Sequence, residues 1–301
     1  MTSLRSRIAA HPVVSFFVLT YAITWTIDAP VLLFDMPPSW AVWGLFTLGA
    51  LGPFLAAAIV LWASGESIRE WFKPRLRWRL SPRWYVAVVA IPILFLALGT
   101  AMYGALGYPY DLGVLDLGAV FYLTLPLFIL FEAVIGGGKE ELGWRGFALP
   151  KMQARYGATI SGLVIGIAWA FWHLPQFFTT SSPHGTWPLG QQVLWGVSVV
   201  GFSIVLTWLY NETGSVWLAM LGHGAINILS GLVPIDATVV GTPIYEGVRI
   251  AAIATFAAAV WVVALVLIVT RGRDNLSRHP ASTSGLPDAA PPVGTPPQAN
   301  D

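Results

Sequence analysis

Runs of about 20 apolar residues recur along the whole chain, the length a helix needs to cross a roughly 30 Å hydrocarbon core. They lie near 13–34, 40–63, 85–107, 122–147, 158–178, 190–210, 215–234 and 248–270. Inside a bilayer every backbone polar group must find its partner within the protein, so runs of this kind fold as helices. The alternation of polar and apolar residues that an outer-membrane barrel needs is absent. Of the 301 residues, 56% are hydrophobic and 10% charged, which leaves short loops and no separate soluble domain. The expected fold is all-α, a polytopic membrane bundle of about eight transmembrane helices. The first run is too long for a signal-peptide core and lacks a small-residue cleavage site, so it counts as a helix.

Charges are few, so their placement is informative. Arg5 and Arg7 precede the first run, and Arg69, Lys73, Arg75, Arg77, Arg79 and Arg83 crowd between the second and third. Lys139, Arg145, Lys151 and Arg155 follow the fourth, and Arg271, Arg273 and Arg278 the eighth. The alternate loops, 35–39, 108–121, 179–189 and 235–247, hold no Lys or Arg; Arg249 alone stands on their side. The positive-inside rule therefore puts both termini in the cytoplasm. The expected location is a bacterial cytoplasmic membrane, with the active site opening toward the cytoplasm. A net charge of +1 gives no reason to expect nucleic acid, and the absence of cysteine excludes disulfides, thiol nucleophiles and thiolate-bound metals. The Arg/Trp-rich segment 64–84 reads as an interfacial stretch held by aromatics and by cations against anionic lipid. Four regions result: 1–119, N-terminal helices with the basic loop; 120–232, a core; 233–272, the last helix; and 273–301, a Pro-rich tail expected to be disordered.

Ionisable groups inside membrane runs are costly and are functional candidates by default. Those here are Asp28, Glu132, Glu140, Glu141, Arg145, His173 and His223, joined by the amide of Asn227. Glu141 and Arg145, spaced i, i+4 with the acid first, suit an ion pair. Helical neighbours point about 100° apart, so Glu140 is left without that partner. A carboxylate so placed suits a general base. His223 and Asn227 share a helix face in HGAIN, flanked by Gly222 and Gly224, which permit close helix approach. His173 lies among aromatics in AWAFWHLP. The simpler readings are a charged cap on the fourth helix, a packing histidine and an interhelical hydrogen bond. Taken together, these groups should turn inward and meet. Glu140 and a histidine can then activate water, while neutral His and Asn donate to an oxyanion; alternatively Glu140, His173 and His223 are a three-ligand Zn²⁺ set with an open position. Both imply hydrolysis of a carbonyl compound, most simply a peptide bond. Helix rise requires the fourth helix to run on through Trp144 to about Phe147, ending before Pro150, so that the charged motif is embedded in the bundle.

In this order and spacing EELGWRG, WAFWH and HGAIN resemble the three motifs of the CPBP intramembrane proteases, which include type II CAAX prenyl endopeptidases and bacteriocin-processing and immunity proteins. The similarity covers about 120–232. It implies that Glu140 activates water with help from His173, that His223 and Asn227 bind the oxyanion, and that Glu141 and Arg145 shape the site. Trp169 stands where the family usually has Phe, a change expected to put little in doubt. The resemblance leaves open whether Zn²⁺ or no metal takes part. The implied partners are the lipid bilayer and a membrane-associated peptide or protein substrate. Two other readings are a non-catalytic binding or immunity protein on the same scaffold and a proton-coupled transporter; the transporter lacks the repeat halves and paired broken helices of that class. Asp28 and Glu132 read as buried structural hydrogen bonders, and His184, in an outer loop, as solvated.

Overall fold

The computed structural model describes residues 3–279, and among these no strand forms; Tyr110 and Ile235 make one isolated bridge between two loops. A short α1 (Leu4–Ala10) leads into α2 (Pro12–Leu33), which has proline in its first turn, where a missing N–H leaves no carbonyl unpaired. The second span, Trp40–Ala63, is broken into α3 (Trp40–Gly49) and α4 (Gly52–Ala63). Pro53 cannot donate back to Gly49, four residues earlier; the Thr24 hydroxyl donates to that carbonyl instead, at 2.7 Å. Next come α5 (Ile68–Phe72), α6 (Pro82–Ala105) and α7 (Gly118–Val134).

Beyond α7 the chain departs from the expected continuous helix. It breaks at Gly136, makes a 3₁₀ turn over Gly137–Glu140, then α8 (Glu141–Gly143), a π-helical turn over Trp144–Ala148, and α9 (Leu149–Tyr156). This second limb, Gly137–Tyr156, is bent 40° from α7. It does not end before Pro150 but runs through it. The carbonyl that Pro150 cannot reach, on Gly146, accepts a 2.8 Å hydrogen bond from the Trp71 indole. A π turn at that point is a familiar way to absorb a local misfit in a helix.

The bundle closes with α10 (Ala158–Trp172), α11 (Leu189–Thr213), α12 (Val216–Leu229) and α13 (Tyr245–Arg271). Among the described residues six helical stretches are long and apolar enough to span a membrane, seven with the bent pair; Val216–Leu232 is a shorter apolar helix. The eight apolar runs of the sequence are all helical. In the interior α12 lies against α7, α6 and α11, while α13 packs on α11 and α6.

One end of the bundle is basic and well tied. Lys151 pairs with Glu66 at 3.2 Å, the Ser215 hydroxyl bonds the Arg77 carbonyl, and Arg75 is buried with its guanidinium 4.1 Å from the centre of the Trp71 ring. Segment 64–84 thus does more than lie at an interface: it closes the end of the bundle and completes the π turn. Residues 273–279 also pack here, with Leu276 fully buried and the Asp274 carbonyl accepting from the Ala158 amide. That much of the expected tail is ordered, and its remainder, 280–301, lies outside the described residues.

Candidate active site

Glu140, Glu141 and Arg145 are buried at the bend between the two limbs, embedded as the helix-rise argument requires. Glu141 and Arg145 form the i, i+4 pair, at 2.9 and 3.1 Å, with both side chains fully enclosed. Burying two charges is worthwhile only if their remaining valences are also filled. Arg145 donates to the Ser203 carbonyl and hydroxyl at 3.0 and 2.8 Å, and Ser203 in turn donates to the Gly162 carbonyl at 2.6 Å. Glu141 reaches across to His223, whose Nδ1 lies 3.0 Å from its Oε1. The charged motif therefore staples α8 to α10, α11 and α12.

Glu140 points the other way and accepts a 2.7 Å bond from the indole N–H of Trp169. The Phe-to-Trp departure is consequently not neutral, since a phenyl ring has no proton to offer. Trp169 also contacts His223, Arg145 and His173. Its ring packs edge-on to His223 with centroids 4.9 Å apart and lies 5.5 Å from the Arg145 guanidinium, and its carbonyl lies 2.9 Å from Nδ1 of His173. A carbonyl can only accept, so His173 carries its proton on Nδ1 and leaves Nε2 as a lone pair. The imidazole is walled by Trp172 and Trp195, with centroids 4.7 and 4.9 Å away.

The same logic revises the expectation for His223. Its Nδ1 faces a carboxylate and must be the donor there, so a neutral His223 has no second proton to give. It can donate to an oxyanion through Nε2 only as the imidazolium, whose charge Glu141 would balance. Asn227 does keep a spare donor. One amide proton goes to Glu132 Oε2 at 3.2 Å, and an amide nitrogen carries two. Glu132 is thus a site residue that sequence reasoning set aside as structural; the clue was its place one turn before the glycine run. Gly137 passes so close to these groups that a Cβ there would lie 2.7 Å from His223 Nε2 and 2.8 Å from Asn227 Nδ2. Gly224 lets α12 approach α7 in the same way, its hypothetical Cβ 2.8 Å from the Ile129 carbonyl.

Glu140, His173, His223 and Asn227 all line one cavity of about 780 Å³, together with Glu132 and Trp169. Asp28 is buried beside Gly49 and does not line it. His184, expected to be solvated, packs against Phe177, Trp187 and Trp195 on the cavity wall. Burial there pushes its pKa down to about 4, so the ring is neutral at ordinary pH.

Residues 122–229 match the family model described as type II CAAX prenyl endopeptidase Rce1-like. A relative, CAAX prenyl protease 2 of Methanococcus maripaludis, is 26% identical over 232 residues, covering 73% of this chain and 83% of its own length. The matched segment carries Glu132, Glu140, Trp169, His173, His223 and Asn227, while other walls of the cavity, Arg249 among them, lie outside it.

The Zn²⁺ set considered from the sequence fits this arrangement poorly. Glu140, His173 and His223 share the cavity, but no three His, Asp or Glu among the described residues are grouped closely enough to hold a metal ion. The cavity lies toward one end of the bundle. α12 starts at the basic end, where the Val216 amide bonds the Arg75 carbonyl, and the cavity runs from His223 along α12 to Ser230 and Gly231. Its further walls include His184, Trp187, Ile235 and Arg249, from the end that carries almost no Lys or Arg. The cavity thus lies toward the end of the bundle opposite the basic one.

Proposed function

We propose that the chain is an intramembrane endopeptidase that cleaves a peptide bond near the end of a membrane-associated peptide. The observation that carries this reading is the gathering of Glu140, His173, His223 and Asn227 from three separate segments around one cavity. Both family comparisons support a peptidase.

A water held between the Glu140 carboxylate and Nε2 of His173 loses its proton to Glu140 as its oxygen attacks the scissile carbonyl. The negative charge that develops on the carbonyl oxygen is met by the free amide proton of Asn227 and by Nε2–H of protonated His223. Glu140 then returns the proton to the leaving amine. Trp169 holds Glu140, Glu141 holds His223 and Glu132 holds Asn227, so each reacting group is oriented before substrate arrives. The tryptophan walls around His173 limit bulk water.

Thirteen of the sixteen Lys and Arg lie on the side of the termini; Lys139 and Arg145 are buried in the site, and Arg249 stands toward the other end. On the positive-inside rule the basic end is cytoplasmic and the cavity opens on the opposite face, where the substrate's cleavable end would enter. The reading is tested by incubating purified protein in proteoliposomes with acyl-anchored reporter peptides and resolving the products by mass spectrometry. Cleavage is expected from the wild type and a loss of at least a hundredfold from His173→Ala; equal cleavage by both would refute the role of His173.

A further inference from the structure

The wall that α13 contributes to the cavity is graded. Arg249, Ile253 and Phe256 line it at i, i+4 and i+7, one helix face running from a cation toward an apolar depth. Arg249 is half-buried and is the lone Lys or Arg of its end of the bundle. The Tyr245 ring holds its guanidinium 5.5 Å from the ring centre, yet among the described residues Arg249 forms no ion pair. The nearest acid in sequence, Glu246, is exposed, and Asp236 across the loop accepts from the amide and hydroxyl of Thr238 at 2.8 and 2.7 Å. The cavity's other cations are already engaged: the Lys139 ammonium donates to the Ile135 and Gly136 carbonyls, and His223, when protonated, is balanced by Glu141 at 3.0 Å. At the catalytic end the cavity carries the carboxylates of Glu132 and Glu140, which repel an anion. Of the cavity's cations, Arg249 alone has neither an acid nor a carbonyl engaging it among the described residues, so an anionic ligand group away from the reacting carbonyl is best met there.

We infer that Arg249 is the anchor for an anionic group on the ligand, and that for a peptide substrate this group is the free C-terminal carboxylate. The planar fork of a guanidinium suits a carboxylate, and partial burial strengthens the contact over its value in water. The charge gradient would then set the polarity of binding, with the carboxylate at Arg249 and an upstream peptide bond at Glu140. This rests on the endopeptidase reading for the ligand's class and adds the group by which the ligand is held. The same chemistry could come from a lipid phosphate, so the test must separate the two.

The experiment uses full-length Glu140→Gln protein in neutral detergent micelles, so that binding is read without turnover. A dansyl-labelled, N-acylated apolar hexapeptide is titrated in two forms, with a free C-terminal carboxylate and with a C-terminal amide. The acid is expected to bind about tenfold more tightly than the amide. Adding Arg249→Gln should weaken the acid to the level of the amide and leave the amide unchanged, while Arg249→Lys should keep part of the preference. Thermal melting of each variant shows whether it is folded. Equal affinity for acid and amide, including binding of neither, or a preference that survives Arg249→Gln, would overturn the proposal. So would titration with phosphatidylglycerol displacing the peptide from the Arg249 protein while acid and amide bind alike, which would assign the site to lipid phosphate. Wild-type protein that never cleaves, yet shows the Arg249-dependent preference, would defeat the catalytic reading and leave the anchor standing.

Discussion

At the scale of single residues the site depends on what each donor can offer. Trp169 in this chain supplies a proton that phenylalanine lacks, and the acceptor is the carboxylate assigned to water activation. Trp169→Phe should lower kcat about tenfold, the value of one well-placed hydrogen bond, while the melting temperature stays within a few degrees. A fall in stability with unchanged kcat would show that the indole serves packing alone. Some of this chemistry was legible in the sequence and some was not. The Glu141–Arg145 pair follows from i, i+4 spacing, and an unpaired Glu140 follows from the 100° step between neighbours. The partner of Glu140 did not, because an indole N–H from another helix leaves no trace in local spacing. His184 was misjudged for a related reason: a loop histidine looks solvated until Phe177, Trp187 and Trp195 are seen to enclose it.

At the scale of elements the bend between α7 and α9 does the positioning. Three glycines in a row allow the chain to turn by 40° inside an apolar bundle and to bring backbone against side chains that a Cβ would displace. Gly137→Ala places a methyl where His223 Nε2 and Asn227 Nδ2 now face the cavity. We expect kcat/KM to fall about a hundredfold with the protein still folded by circular dichroism, since a displacement of the order of 1 Å can cost that much. Wild-type activity in this variant would mean that the groups around Gly137 are not the oxyanion donors. Apolar run length announced the helices themselves. Their interruptions were harder to read, because each needs a distant partner for an orphaned carbonyl: Thr24 for Gly49 before Pro53, Trp71 for Gly146 before Pro150. A proline alone therefore looked like a helix end at 150, whereas an indole from the basic loop let the helix continue.

At the scale of the whole molecule two physical rules meet. The positive-inside rule predicts which end of the bundle is cytoplasmic, and the walls of the cavity lie toward the other end. The chain has no native cysteine, so single substitutions report cleanly. In intact cells an impermeant maleimide should label Thr180→Cys, at the cavity end, and reach Ser81→Cys, at the basic end, only after lysis; both positions are exposed. The reverse pattern would place the cavity toward the cytoplasm and set the cation rule aside for this protein. The bundle as a class was legible from run length alone; which end the cavity lies toward depends on packing between helices, which run length does not report.

The account rests on a buried carboxylate that takes a proton from water. Glu140→Gln keeps the size and the hydrogen-bond acceptor for Trp169 but removes the base. In proteoliposomes, with melting and circular dichroism unchanged, cleavage of the reporter peptide should fall by at least a thousandfold. A Glu140→Gln protein that cleaves at the wild-type rate would contradict the hydrolase reading of this site.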